Sequence, residues 1–254
     1  MAGARPHATL VVLRHGESEG NARGTFAGWR DVPLTARGRE QAIAAAAAVA
    51  ALAPHLDAVF TSALARAVAT ADLLLPLLPG TIAGAERQVR WRLNERHCGA
   101  LQGRDKDACK REFGREVIRA LRSEWHARPP LAAAGGPDDP RLDARYRAAD
   151  ADAVADADAD AGLPLGESFA DVAARIAPVW RDDLAPRLRA GQNVLVVGHG
   201  MSLRVLLCQL EGTPAATLPP WILGNARPRC YRLDRELRVL ELASSGEDAG
   251  SSDE

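Results

Sequence analysis

The sequence is poor in the features that mark metal centres, disulfide frameworks and nucleic-acid surfaces. Only four of its 254 residues are cysteine, and 32 Lys and Arg residues balance 33 Asp and Glu residues. The cysteines form no Cys-x-x-Cys pair, which argues against a zinc knuckle and a disulfide framework. The balanced charge gives no overall field that would attract nucleic acid or anionic lipid. Any preference for an anion must therefore come from the local placement of arginines.

Long apolar segments are also missing. No basic N-terminal segment precedes an apolar stretch with a cleavage site, and no run is long enough to span a bilayer. We therefore expect a cytoplasmic protein with reduced thiols and with no membrane or nucleic-acid partner. The length suits a single domain over residues 1–243, followed by a disordered acidic tail at 244–254.

Two short apolar runs each end in a histidine followed by a glycine. Residues 9–13 lead into Arg14-His15-Gly16, and residues 193–198 lead into His199-Gly200. Continuous β-branched and leucine runs are typical of strands buried on both faces of a parallel sheet. Open α/β sheets bind their ligands at the carboxyl ends of such strands. The two histidines are therefore predicted to meet at one edge of a sheet.

Helical patterns follow the predicted strands and indicate the fold class. The first helix is expected from about Thr35 to Leu52, and another carries Arg66 and ends near Pro76. Alternating strands and helices predict an α/β fold of three layers, in which helices cover both faces of a mainly parallel sheet. The remaining expected elements are a strand at 58–60, a helix that follows His199-Gly200-Met201-Ser202 and runs through Leu210 to end at Gly212, and an edge pair at 230–233 and 237–242.

An insertion at about 98–165 has a different composition and is predicted to form a helical lid. Residues 106–125 form one amphipathic helical pattern, in which Phe113, Val117, Leu121 and Trp125 share a stripe. Residues 148–162 are a low-complexity Ala/Asp tract, which lacks the apolar side chains whose burial would offset the entropy lost on ordering. We expect this tract to be a mobile loop.

The Arg14-His15-Gly16 step has the composition of a phosphate site with a nucleophile. Glycine lets backbone N–H groups approach an anion, and arginine can bind phosphate through two parallel hydrogen bonds. A neutral imidazole can attack phosphorus and form a phosphohistidine. A lone histidine at a strand end is usually incidental, but the flanking residues favour a catalytic His15.

Three further residues have both an ordinary and a functional interpretation. Arg66 is either a surface arginine or a phosphate ligand near a helix N-terminus at the same sheet edge. His199, with Gly200, either begins a helix or places a second, cationic imidazole on the phosphoryl oxygens. Glu95 is the best carboxylate candidate for proton transfer, although residue type alone does not separate it from a solvated glutamate. Positive charge from histidine and arginine predicts catalysis without a metal.

Several segments resemble the histidine phosphatase superfamily and, within it, the 2,3-bisphosphoglycerate-dependent phosphoglycerate mutases. The Arg-His-Gly step is general to the superfamily, whereas Leu93-Asn94-Glu95-Arg96 with Leu101-Gln102-Gly103 is much more specific to the mutases. The matching segments are 13–18 with Asn21, 26–35, 61–67, 93–103 with Lys106, and 199–200.

The resemblance implies an isomerase of glycolysis and gluconeogenesis that interconverts 3-phosphoglycerate and 2-phosphoglycerate. It implies 2,3-bisphosphoglycerate as the primer, no metal and a small-molecule substrate, and it leaves homo-oligomerisation open. By the same resemblance, His15 is the phosphorylated nucleophile and Glu95 the proton donor and acceptor. The transferring phosphoryl group is expected on Arg14, Asn21, Arg66, His199 and Gly200, and the glycerate carboxylate and second phosphate on Gly28, Arg96, Lys106 and Arg122.

Three residues depart from the mutase pattern on the side expected to face substrate. Cys98 stands where the family usually has tyrosine, Ser123 where it commonly has a second arginine, and Met201 where it has asparagine. Each lost hydrogen-bonding group would weaken substrate retention by about 1–3 kcal/mol. A histidine-type phosphatase that hydrolyses small phosphate monoesters therefore remains the alternative function.

Overall fold

A computed structural model describes residues 6–78, 87–146, 162–208, 210–211, 218 and 222–244. None of the helices in these ranges is long and apolar enough to cross a membrane. Of the expected mobile loop at 148–162, only Gly162 is described, and the tail beyond Ser244 lies outside the described residues.

A six-stranded sheet forms the centre of the protein. Its strands are β1 (Ala8–Arg14), β2 (Ala58–Thr61), β3 (Arg87–Val89), β4 (Val194–Gly198), β5 (Pro228–Leu233) and β6 (Val239–Ser244). The strand order is β3-β2-β4-β1-β5-β6. The first four strands in this order are mutually parallel, while β5 is antiparallel to β1 and to β6. The mainly parallel sheet is confirmed. Strand β3 was not predicted, because its three residues carry no apolar run.

The helices flank the sheet and one pair lies in the insertion. They are α1 (Glu19–Ala22), α2 (Ala36–Leu52), α3 (Ala65–Leu74), α4 (Lys106–Phe113), α5 (Arg115–Ser123), α6 (Phe169–Pro178), α7 (Ala185–Arg189) and α8 (Gly200–Cys208). A π-helical turn at Val179–Leu184 joins α6 to α7. Thr35 caps α2, since its side chain accepts a hydrogen bond from the backbone N–H of Gly38 at 3.0 Å.

Alternation along the strands divides the core between the two faces of the sheet. On β1, Val11 and Leu13 pack with helices α2 and α3. Leu10 and Val12 point to the opposite face and pack with α6 and α8. Side chains at alternate positions are buried on both faces, which explains why the strand sequences are continuously apolar.

The lid differs from the prediction of one helix over 106–125. Gly114 has φ of +92° and separates α4 from α5. A positive φ ends the regular helix, so the side-chain phase of α5 no longer continues that of α4. Ile118 and Leu121 are consequently the buried pair, whereas Val117 is 48% exposed. The predicted stripe through Val117 and on to Trp125 is therefore wrong.

The last predicted helix is also shorter than expected. Helix α8 ends at Cys208, and Leu210 lies in a turn in which its N–H donates to the Leu207 carbonyl. Gly212, the expected end, lies outside the described residues. The final strand pair is confirmed, with β5 longer than its predicted segment and β6 of the predicted length but two residues further along the chain.

Candidate active site

The carboxyl ends of β1 and β4 open into one large cavity. Arg14 and Gly198 are register partners at these ends, which places His15 beside His199. The centroids of the two imidazole rings are 5.1 Å apart. The cavity measures about 990 Å³. His199 is fully buried, and all the other residues expected at the site line this cavity: Arg14, His15, Asn21, Gly28, Arg66, Glu95, Arg96, Lys106, Arg122 and Gly200.

The tautomer of His15 leaves its Nε2 atom as the candidate nucleophile. His15 Nδ1 lies 2.6 Å from the Gly16 carbonyl oxygen, which can only accept, so Nδ1 carries the proton. Nε2 in turn accepts a hydrogen bond from Arg66 Nε at 3.3 Å. Burial, together with the charges of Arg66 and Arg14, holds the pKa of His15 well below its usual value. The imidazole is therefore neutral at physiological pH, with a lone pair directed at the Arg66 guanidinium.

Arg66 is fixed from both sides of its guanidinium. One terminal nitrogen donates to the Gly28 carbonyl at 2.8 Å and the other to the Arg30 carbonyl at 3.0 Å. These contacts fix a buried cation against the nucleophile, as expected from its position in the first turn of α3. Burial lowers the pKa of Arg66 to about 10, which leaves the group charged at neutral pH.

His199 is held by a residue that the sequence did not identify. Its Nε2 lies 2.7 Å from the Ser62 hydroxyl, while its buried Nδ1 has no hydrogen-bond partner within the described residues. Burial and the nearby Arg66 charge hold the pKa of His199 well below its usual value. His199 is therefore neutral in the free site and can act there as a hydrogen-bonding group. A cationic imidazole on bound phosphoryl oxygens stays a prediction.

Glu95 sits at the N-terminus of α8, where backbone N–H groups hold its carboxylate. One oxygen accepts from the N–H of Arg96 at 2.9 Å and of Ser202 at 3.2 Å, and the other from Met201 at 3.4 Å. Free N–H groups and the helix dipole both favour a carboxylate at this position. The loop after β3 and the helix after β4 thus meet at the candidate proton-transfer group.

The loop that carries His15 packs directly on backbone, with no room for side chains. A Cβ on Gly16 would lie 2.2 Å from the Gly38 carbonyl oxygen, and a Cβ on Gly38 would lie 1.9 Å from that of Glu17. Thr70 Oγ1 accepts from the Gly16 N–H at 3.1 Å, and the Asn225 amide donates to the His15 carbonyl at 2.9 Å. Helices α2 and α3 and the segment before β5 therefore fix the nucleophile together.

The expected substrate side combines loop and lid residues. Arg96 stacks with its guanidinium carbon 4.8 Å from the centre of the Phe169 ring. Gly28 has φ of +51°, and a Cβ there would lie 2.2 Å from the Gln102 side-chain oxygen, so both conformation and space require glycine. Asn21 borders the cavity, but its side-chain oxygen accepts from the Ser18 N–H and hydroxyl as part of a helix cap.

The three residues that depart from the mutase pattern all line the cavity. These are Cys98, Ser123 on α5 and Met201 on α8. Burial raises the pKa of the Cys98 thiol to about 11, so the group stays protonated and is not a nucleophile. Among the described residues, no group of three or more His, Cys, Asp or Glu side chains could hold a metal ion.

Several residues at the site gave no recognisable sequence signal. Asn225 and Arg204 belong to no motif yet line the cavity, and Ser62, in the matching segment 61–67, was assigned no role although it contacts His199. Arg175 lies on α6, well outside the motifs, and contacts the backbone of the Glu95 loop. Position after an apolar strand was a usable signal only for Ser62, which directly follows β2.

Comparison with known proteins gives one family and a consistent set of relatives. The model of the histidine phosphatase superfamily (branch 1) matches residues 10–156 and 136–244. The 2,3-bisphosphoglycerate-dependent phosphoglycerate mutase of Haemophilus ducreyi is 37% identical over 232 residues, covering 91% of this chain and 97% of that protein. The enzymes of the same name from Pasteurella multocida and Neisseria meningitidis are 38% and 36% identical, with the same coverage.

Solved structures similar to this chain share its fold. A protein described as mycobacterial hydrolase 1 superposes with a TM-score of 0.67 at 25% identity, covering 98% of this chain and 100% of that one. A vanadate complex of mycobacterial glucosyl-3-phosphoglycerate phosphatase superposes with a TM-score of 0.65 at 25% identity, covering 97% and 100%.

Proposed function

Because the chain belongs to the histidine phosphatase superfamily (branch 1), we propose that it is an isomerase that interconverts 3-phosphoglycerate and 2-phosphoglycerate through a phosphohistidine at His15. The observation that carries this proposal is the buried, neutral His15, whose Nε2 lone pair meets the Arg66 guanidinium in the cavity that also holds Glu95. A nucleophile, a cation and a proton-transfer group are the requirements of a two-step phosphoryl transfer.

In the first step, His15 Nε2 attacks the phosphorus of a phosphate ester. The phosphorus–oxygen bond of the ester breaks, and its electron pair goes to the leaving oxygen, which takes a proton from Glu95. Arg66 and Arg14 stabilise the charge on the equatorial oxygens, and the unpaired Nδ1 of His199 suits a phosphoryl oxygen.

In the second step, the free hydroxyl of a monophosphoglycerate attacks the phosphorus of phospho-His15. The phosphorus–nitrogen bond breaks, its electron pair returns to Nε2, and the Glu95 carboxylate takes the hydroxyl proton. Microscopic reversibility requires one group to donate and accept this proton, and Glu95 lies at the fixed N-terminus of α8 for both roles.

The residues of the cavity fit the primer that the relatives' name implies. When bound, 2,3-bisphosphoglycerate supplies the phosphoryl group that first loads His15. Its second phosphate and its carboxylate need further cations, and Arg96, Lys106 and Arg122 line the same cavity. This chemistry draws its positive charge from side chains and requires no metal, and we place the enzyme in the cytoplasm.

The second candidate is a phosphatase, in which water attacks phospho-His15 in place of the sugar-acid hydroxyl. The observation in its favour is that Cys98, Ser123 and Met201 all lie on the cavity wall, where they offer fewer hydrogen bonds than the mutase residues. Weaker retention of a bisphosphorylated intermediate would give water more time to react.

The deciding experiment supplies 3-phosphoglycerate with a trace of 2,3-bisphosphoglycerate and follows 2-phosphoglycerate and inorganic phosphate together by phosphorus NMR. We expect 2-phosphoglycerate to form faster than phosphate, and acid-labile phosphate to appear on the protein. His15→Gln should abolish both signals. His55→Gln is the matched control, because His55 is exposed and its ring contacts the nearby Asp57. Labelling that survives His15→Gln would refute the proposal, and phosphate release without 2-phosphoglycerate would favour the phosphatase.

A further inference from the structure

We propose that Arg175 and Glu167 form a buried clamp that positions Glu95 for proton transfer, an inference that rests on the proposed role of Glu95. Arg175 lies on α6 and Glu167 two residues before that helix, and their side chains are 3% and 2% exposed. Neither belongs to the cavity lining, so the clamp acts on the reaction through Glu95.

The Arg175 guanidinium donates hydrogen bonds to several carbonyl groups of one loop. One terminal nitrogen donates to the Arg92 carbonyl at 2.6 Å and to the Asn94 carbonyl at 3.2 Å. The other donates to Asn94 at 3.2 Å and to Glu95 at 3.3 Å. Three carbonyls that point to one guanidinium define the path of the backbone up to the Cα of Glu95.

Glu167 completes the clamp from the other side. Its carboxylate accepts from Arg175 Nε at 2.6 Å and from a terminal nitrogen of Arg175 at 3.0 Å, so the two side chains form a bidentate ion pair. The same carboxylate accepts from the backbone N–H of His97 at 2.7 Å. The ion pair therefore holds the chain on both sides of Glu95, and burial makes loss of either partner costly.

A third contact ties this loop to the phosphate side of the cavity. Trp29 Nε1 donates to the Glu95 carbonyl at 2.5 Å, and the Arg175 guanidinium carbon lies 5.4 Å from the centre of the Trp29 ring. Trp29 follows Gly28, whose carbonyl accepts from Arg66. The carbonyl of Glu95 is thus fixed by two donors, and its carboxylate can only pivot about the Cα that they define.

The first test separates proton transfer from phosphate binding by the choice of phosphoryl donor. A sugar-acid phosphate needs a proton on its leaving oxygen, whereas 4-nitrophenyl phosphate leaves without one. In Arg175→Lys, which keeps the charge but loses the planar fork, loading of His15 from 2,3-bisphosphoglycerate should slow by about 10–100-fold. Loading from 4-nitrophenyl phosphate should change by no more than about twofold, and KM should hold. Equal losses with both donors would overturn the proposal.

Two further variants keep the test decisive. Adding Arg175→Lys to Glu95→Gln should slow loading no further than Glu95→Gln alone, because the clamp acts through that carboxyl group. Arg187→Lys is the matched control, since Arg187 is a helical arginine whose side chain donates to Gln192 and lies 5.8 Å from the Phe60 ring. If Arg175→Lys fails to fold, Glu167→Gln, which keeps shape and loses charge, takes its place with the same expected pattern.

A readout without turnover separates this inference from the proposed function. The backbone N–H groups of Met201 and Ser202 donate to the Glu95 carboxylate, so their NMR shifts report its position. In Arg175→Lys these shifts should move towards those of Glu95→Gln, while Arg187→Lys leaves them in place. A wild-type protein that never loads His15 would refute the proposed function alone. Unmoved Met201 and Ser202 shifts would refute the clamp alone.

Discussion

Replacing Gly38 by alanine should displace the nucleophile without touching any residue of the proposed chemistry. Gly38 lies in the first turn of α2, and a Cβ there would lie 1.9 Å from the Glu17 carbonyl oxygen. A carbon–oxygen contact needs about 3.3 Å, so helix and loop must separate by more than about 1 Å. Because the φ of Gly38 is not positive, alanine can adopt the same backbone conformation and the perturbation is purely steric.

The displaced loop leads directly to His15, two residues before Glu17. Overpacking of this kind costs about 1–3 kcal/mol, which lowers Tm by about 2–4 °C for each kcal/mol in a protein of this size. A shift of about 1 Å at a reacting group can lower the rate about 100-fold. We therefore expect both a lower Tm and a loss of kcat/KM of this order in the coupled 3-phosphoglycerate assay.

Gly162→Ala provides the matched control, because its added Cβ would meet nothing within 4 Å. That variant should keep the wild-type Tm and kcat/KM. If Gly38→Ala keeps both values, the close packing of the loop on α2 is not rigid. If Tm falls while kcat/KM changes by less than about twofold, α2 alone has moved and the argument that couples it to His15 is refuted.

The remaining predictions concern protonation, metal and substrate retention. The pKa of His15 is lower in the folded than in the unfolded protein, so between these two pKa values the unfolded chain binds more protons. The stability that the neutral imidazole contributes is therefore complete above a pH of about 6.5, and it is lost as the pH falls towards the folded pKa. In that window His15→Gln should flatten the rise of unfolding free energy with pH by up to about 1.4 kcal/mol per pH unit in urea titrations, and an unchanged slope would contradict a buried neutral imidazole. Activity should survive exhaustive EDTA treatment, since guanidinium groups supply the positive charge, and a strict need for added Mg²⁺ would rule out this mechanism. The combined variant Cys98→Tyr, Ser123→Arg and Met201→Asn should lower KM for 3-phosphoglycerate and the share of free phosphate; the same KM and the same partition would show that these positions do not set retention.

The main elements of the fold could be predicted because their signals are local. The run before His15 and the run before His199 are continuously apolar, and such runs favour buried parallel strands wherever they occur. The residues that follow such strands must then share one edge of the sheet. His15 and His199 could for this reason be placed together from the sequence, and their ring separation of 5.1 Å agrees.

The single helix predicted over 106–125 is wrong for a reason that is equally local. The apolar pattern over 106–125 has a helical period, yet the period does not show that Gly114 adopts a positive φ. Glycine populates that region as readily as the helical one, so the sequence permits both a continuous helix and a break. In the folded protein the helix is broken, and Ile118 instead of Val117 is buried.

By itself the sequence determined which residues are candidates for the chemistry, and tertiary structure determined the protonation and contacts of these residues. Which ring nitrogen of His15 is free to react is set by two hydrogen bonds. Nδ1 donates to the Gly16 carbonyl, and Nε2 accepts from Arg66, which lies 51 residues away in the chain. Asn225, 210 residues from His15, and Arg175, 80 residues from Glu95, hold the two groups in place. No local pattern encodes the contacts of Asn225 and Arg175, because a hydrogen bond to a backbone carbonyl depends on where the fold brings that carbonyl and not on the side chain next to it.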